Sequence, residues 1–235
     1  AHHLGLLRRA DVVTVSSAML AAGVVATRPD AVLVENGVDL ERFSISPDIG
    51  DYYLCAGQIT PYKKIEIAVD AFTRSGRPLV VMGGGVTPDL RARAGPNVAF
   101  LGTVDDATMA EQFARCRALV FPGVEDCGIV PIEVMASGRP VIAFGRGGVA
   151  ETVVDGETGL FFHEQSAEAL NDAVDRFEAR IGAFEPEAIQ RHARKFGGAE
   201  FERKLAAFIS GKLGSGHRIA ADRPRSVPSV DEVAA

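Results

Sequence analysis

Residues 118–144 read ALVFPGVEDCGIVPIEVMASGRPVIAF. The apolar run 118–121 stops at Pro122-Gly123, a helical stretch follows over 129–137, and 140–144 is apolar again. Strand-length apolar runs separated by a helix of this length describe a βαβ unit, whose two strands run parallel. The same alternation extends outward in both directions. Apolar runs at 52–56, 78–82, 98–101 and 159–162 join those at 118–121 and 140–144, with helices expected at 62–75, 87–94, 105–116, 129–137 and 166–179. In the last of these, Ala167, Leu170, Val174 and Phe177 recur at helical spacing and face a core. The expected fold class is α/β: a parallel sheet with helices on both faces.

Local punctuation agrees. Asp105 and Ser166 stand at helix N-cap positions, Gly138 just past a helix end, and Pro131 in a first turn, where a missing N–H costs nothing. Nearer the N-terminus, 11–16 reads as a further strand with a helix to about Thr27, and 31–35 as a short strand leading into Asn36-Gly37-Val38-Asp39. Residues 185–211 read as two closing helices broken at Gly197-Gly198. Over 214–235 Gly, Ser, Pro and charged residues dominate without a period, and a disordered tail is expected.

Composition narrows the function classes. With 47% hydrophobic and 24% charged residues, the 235-residue chain has the apolar content for a buried core. The net charge is −6 and no block of Lys and Arg occurs, which argues against a nucleic-acid partner. No window reaches the roughly 18 uncharged apolar residues of a membrane span. Cys55, Cys116 and Cys127 are odd in number and unclustered, a pattern that fits the cytoplasm. His163 and His192 have no Cys, His or carboxylate at metal-ligand spacing, so no metal is expected. No Gly-x-Ser-x-Gly elbow occurs either.

In open parallel sheets ligands bind beyond the carboxyl ends of the strands. Four segments fall there. Gly57-Gln58-Ile59-Thr60-Pro61-Tyr62-Lys63-Lys64 can place one ammonium against a phosphate, or simply expose a solvated pair. Gly83-Gly84-Gly85 permits close approach of a ligand, or only a turn; it is neither a P-loop nor a dinucleotide fingerprint. The third segment, 125–133, is the informative one. A helix starting near Gly128 presents unpaired N–H groups and a positive dipole end to an anion. Glu125 before it and Glu133 within it repel phosphate but suit hydroxyl donors on either side, as in two sugars joined by a diphosphate. The plainer reading of both is acids placed for the helix dipole. In the fourth, 145–152, Gly147-Gly148 can bring backbone toward the same crevice, Glu151 reads as a helix-start acid, and Arg146 as either a phosphate partner or a solvated side chain.

The ordered motifs resemble a known family. Glu125 to Glu133 is similar to the Glu-(seven residues)-Glu motif of family 4 retaining glycosyltransferases. Gly147-Gly148-Val149-Ala150-Glu151-Thr152 and Asp155-Gly156-Glu157-Thr158-Gly159-Leu160 resemble the segments that follow it, and Asn36-Gly37-Val38-Asp39 the entry to the family's second domain. Gly57 to Lys63 matches a Gly-Arg-Leu-x-x-x-Lys pattern in spacing. The resemblance covers roughly 11–180. It implies a Rossmann-like sheet forming one half of a two-domain GT-B architecture. On that pattern 1–28 is a remnant of the N-terminal domain, 29–184 binds a nucleotide sugar, 185–213 packs back toward the first domain, and 214–235 is the tail. The turn at Pro61-Tyr62-Lys63-Lys64 and the 125–131 segment look most like mannosyltransferases of polysaccharide and O-antigen assembly, which implies GDP-mannose as donor.

The resemblance also implies roles. Lys63 holds the donor diphosphate with the amides of Gly128, Ile129 and Val130; Glu125 holds the transferred sugar, and with Lys63 forms the catalytic pair. Glu133 takes the ribose, and Gly102, Thr103 and Val104 lie near the base. Gln58, Lys64 and Gly83 complete the donor site. No cofactor or metal is required, and the anomeric configuration is retained. A glycan or lipid-linked acceptor is held by the other domain, at the cytoplasmic face of the membrane where the acceptor is lipid-linked. The family's Arg is replaced by Gln58, which exchanges charged hydrogen bonds of about 1.5–3 kcal/mol for neutral ones of about 0.5–1.5. That replacement leaves an alternative: a non-catalytic module acting with a separate catalytic chain.

Overall fold

The computed structural model describes residues 13–17, 21, 24 and 27–214. The tail expected over 214–235 lies, beyond Gly214, outside these residues, as does most of the segment before residue 27. Two short strands open the chain, β1 (Thr14–Val15) and β2 (Val32–Leu33), paired parallel to each other. They form a sheet of their own, so the strand expected at 31–35 stands with β1 and not with the main sheet.

The main sheet has six parallel strands: β3 (Tyr53–Ala56), β4 (Leu79–Met82), β5 (Val98–Gly102), β6 (Leu119–Phe121), β7 (Val141–Phe144) and β8 (Gly159–Phe162). Between them run α1 (Ile65–Ser75), α2 (Pro88–Arg93), α3 (Asp106–Arg115), α4 (Ile129–Ala136) and α5 (Val149–Thr152), followed by α6 (Ala167–Glu178), α7 (Pro186–Ala193) and α8 (Gly198–Gly214). The expected α/β class is therefore the observed one, with element ends moved by one to three residues. The largest shift is at α1, because Pro61–Lys63 forms a separate 3-10 turn before it. Two further 3-10 turns follow α6: Ile181–Ala183, and Arg194–Phe196, which precedes Gly197 at the break between α7 and α8.

Strand burial follows from position. β3, β6 and β7 are apolar and buried along their length, as strands covered on both faces must be. β5, at the sheet edge, alternates half-buried and exposed residues. Asp105 and Ser166 cap as expected, accepting from the backbone N–H of Thr108 (2.8 Å) and Ala169 (3.2 Å). On one face α1 packs on α6, with the Tyr53 ring 5.1 Å from Phe72 and 6.1 Å from Phe177. On the other, α4 is buried beneath α3 and α7. Arg139, just after α4, is buried and donates from Nε to the Ala114 carbonyl at 2.7 Å, satisfying a group at the carboxyl end of α3.

The order of strands across the sheet is β5-β4-β3-β6-β7-β8. The chain winds outward from β3 in one direction, returns, and winds outward from β6 in the other. Between β3 and β6 the loops leaving the carboxyl ends diverge, which opens the crevice where such sheets take ligands.

Candidate functional site

Lys63 follows β3 and Glu125 follows β6, so they leave the two strands that flank this crevice. They meet there: Lys63 Nζ lies 2.9 Å from Glu125 Oε1. The ammonium is within charge-pairing distance but off the hydrogen-bond direction, and Oε1 is shielded from solvent without a hydrogen-bond partner. With Tyr62, Gly128, Ile129 and Val130 they line a hollow of about 480 Å³, within the roughly 300–1,000 Å³ of small-ligand sites. Gly128 is the residue before α4, at φ +69°. The first N–H groups of α4 have no intrahelical acceptor and are available to an anion.

Two glycines set this geometry. A Cβ on Gly123 would lie 2.6 Å from Lys63 Cα, so only a residue without a side chain lets the β6 loop reach the Lys63 backbone. A Cβ on Gly148 would lie 2.3 Å from the Asp126 carbonyl oxygen, and the Gly148 N–H donates to the Glu125 carbonyl at 2.8 Å. The sequence placed Gly147-Gly148 near the crevice; the structure shows that the backbone they approach is the protein's own Glu125 loop. Gly123 was not anticipated, and the only signal for it was its place immediately after Pro122 at a strand end.

The other expected residues fall into two groups. Gln58, Gly83, Gly102 and Thr103 gather at the ends of β3, β4 and β5. The Gly83 N–H donates to the Gly102 carbonyl at 2.8 Å, and that of Ile59 to the Gly84 carbonyl at 2.8 Å. A Cβ on Gly84 would come 3.1 Å from Thr103 Oγ1 and 3.3 Å from Gln58 Oε1, which puts those side chains next to one another. Val104 is half-buried against the core. Glu133, on α4, faces this β5–α3 side, in the field of Arg42 and Asp106. Burial pushes its carboxyl above the usual range, Arg42 offsets this only in part, and Asp106 adds to it. Glu133 is not among the residues lining the Lys63–Glu125 hollow.

Lys64, expected in the donor site, does not line the hollow that holds Lys63 and Glu125. Its backbone is left-handed, at φ 54°, and its side chain lines a separate depression with Glu66, Thr87 and Arg93. Its Nζ is 3.8 Å from Glu66 Oε1. Arg146 is exposed, with its guanidinium over the Phe144 ring, 5.7 Å from the centroid. Among the described residues lining the hollow, Lys63 is the only cation.

A six-stranded parallel sheet with ligand-facing loops at its switch point is the architecture of one domain of a GT-B glycosyltransferase. The fold is shared with sucrose-phosphate synthase from Thermosynechococcus elongatus, at a TM-score of 0.78 and 24% identity, over 91% of this chain and 61% of that one. Anabaena HepE, solved in complex with UDP and glucose, gives a TM-score of 0.78 at 19% identity, over 88% and 65%. Residues 50–179 match the family described as glycosyl transferases group 1, and the chain belongs to that family. The phosphatidyl-myo-inositol mannosyltransferase of Mycobacterium leprae is 30% identical over 186 residues, covering 69% of this chain and 50% of its own length. The chain thus spans about half the length of that relative. Among the described residues, no helix is long and apolar enough to cross a membrane.

Proposed function

We propose that this chain is the donor-binding part of a retaining glycosyltransferase that moves a hexose, mannose from GDP-mannose, onto a glycan or lipid-linked acceptor. One observation carries the reading: an ammonium and a carboxylate meet at 2.9 Å beside the amino end of a buried helix, at the switch point of a parallel sheet. Lys63 and the first amides of α4 take the diphosphate. As the bond to the anomeric carbon breaks, they stabilise the charge developing on the leaving phosphate, in a site already oriented for it. Glu125 accepts hydrogen bonds from the transferred sugar. Glu133, in the field of Asp106, and the 102–104 segment take the nucleoside. In this reading the ammonium and amides supply the positive charge, and no metal or cofactor is needed. Mannose is supported by the motif resemblance and by the mannosyltransferase relative.

Titration calorimetry of the chain with GDP, UDP, GDP-mannose and UDP-glucose tests the reading. Binding of GDP-mannose in preference to UDP-glucose is the expected result; the reverse preference moves the donor to a uridine nucleotide. No heat with any of the four at millimolar concentration overturns the reading altogether. A second reading, a nucleotide-sugar-binding module that works with a separate catalytic chain, is favoured by Gln58. That side chain is exposed and stands where the family pattern has a cation. Transfer activity restored by Gln58→Arg, in a protein that carries both domains, separates the two.

A further inference from the structure

The contact between Lys63 and Glu125 also bears on which nucleotide the hollow prefers, given the nucleotide-sugar reading above. The two side chains are 11% and 19% exposed, and Glu125 Oε1 is shielded from solvent. Lys63 is held from both ends: its Nζ sits beside Gly57, where a Cβ would lie 2.8 Å from it, and Gly123 packs against its main chain. Parting such a pair leaves a desolvated carboxylate uncompensated, which costs more than the pair itself is worth.

A bare nucleoside diphosphate imposes that cost. Its oxygens take the ammonium, and its charge is set beside the stranded carboxylate. A sugar-bearing diphosphate takes the ammonium too, but delivers hydroxyl donors to Glu125 in the same event, and every buried group is then satisfied. We propose that the Lys63–Glu125 pair is a specificity device that disfavours the spent nucleoside diphosphate relative to the loaded donor, because only the donor satisfies both partners once they separate. Re-formation of the pair then helps to expel the product after transfer.

The test is titration calorimetry of the wild-type chain and Glu125→Gln with GDP and with GDP-mannose, or with UDP and UDP-glucose if uridine is the base taken. The amide keeps the shape and removes the charge. The substitution is expected to tighten GDP binding by roughly three- to tenfold. Binding of GDP-mannose is expected to weaken or stay level, so that the preference for the sugar-bearing form falls. Unchanged or weaker GDP binding by Glu125→Gln, at a wild-type unfolding midpoint, overturns the proposal. If that variant does not fold, Glu125→Asp draws the carboxylate back from Lys63 by one methylene. A smaller tightening toward GDP then supports the proposal, and none overturns it. A wild-type chain that binds no nucleoside diphosphate or nucleotide sugar defeats the nucleotide-sugar reading itself; a wild type that binds while both variants match it defeats only this inference.

Discussion

Substituting Gly148 by alanine adds a single methyl, yet the site is built so that this methyl displaces Glu125. The new Cβ would lie 2.3 Å from the Asp126 carbonyl oxygen and 2.7 Å from both Asp126 C and Cys127 Cα, all backbone atoms. Ordinary contact begins near 3.4 Å, so the loop must retreat by about 1 Å, and no side-chain rotation can absorb the move. Overpacking of this kind costs about 1–3 kcal/mol. Loss of the hydrogen bond from Gly148 N–H to the Glu125 carbonyl adds about 0.5–1.5 kcal/mol. At roughly 2–4 °C per kcal/mol for a chain of this size, the unfolding midpoint should fall by about 3–18 °C. The displaced carboxylate should matter more, since about 1 Å of misplacement can cost on the order of 100-fold in function. Calorimetry with GDP-mannose and a thermal melt measure the two effects. Gly182→Ala is the control, since nothing lies within 4 Å of its Cβ. Gly148→Ala binding GDP-mannose within about twofold of wild type, at an unchanged midpoint, would refute the claim that this glycine sets the position of Glu125.

Two further predictions come from neighbouring residues of contrasting fate. Lys63→Ala should weaken GDP-mannose at least about tenfold through loss of a charged hydrogen bond, whereas Lys64→Gly should leave titrations with that donor unchanged. The glycine should also raise stability by roughly 0.5–1 kcal/mol, because residue 64 is held left-handed at φ 54°; equal losses from the two variants in parallel titrations would mean that both lysines face the ligand. Glu133→Gln should raise the melting midpoint at pH 7 by roughly 1–3 °C while weakening nucleotide binding. The folded chain holds the Glu133 proton more tightly than the unfolded one, so its charge costs stability at neutral pH and the cost fades as pH falls through the raised pKa. Melts from pH 7 down to 4.5 should therefore show the gain shrinking, and a gain independent of pH would assign it to another cause.

Much of this molecule is written locally. The alternation of apolar runs and helical stretches, the caps at Asp105 and Ser166, and Pro131 in the first turn of α4 depend on residues within a turn or two of each other, and each was legible in order along the chain. So was the position of four polar or glycine-rich turns at the carboxyl ends of the strands. The choice between Lys63 and Lys64 was not legible, since it depends on one left-handed residue and on which side of a 3-10 turn each side chain leaves. The resemblance gave the two glutamates different roles, but their neighbours came only from the fold: Glu125 faces Lys63, while Glu133 lies toward Arg42 and Asp106. Gly148 reads in sequence as an open approach to a ligand and proves to be the support of a loop.

The sequence alone determined an α/β chain of parallel strands, with its glycine-rich and polar turns at their carboxyl ends, because periodicity and capping are short-range properties. The tertiary structure decided that the turns after β3 and β6 share one hollow. Those turns are 62 residues apart for Lys63 and Glu125, and nothing local encodes that β6 returns to lie beside β3 and not beside β5. Strand order is settled by which crossovers pack both faces of the sheet, a property of the whole core. The pairing of an ammonium with a carboxylate at 2.9 Å follows from that order.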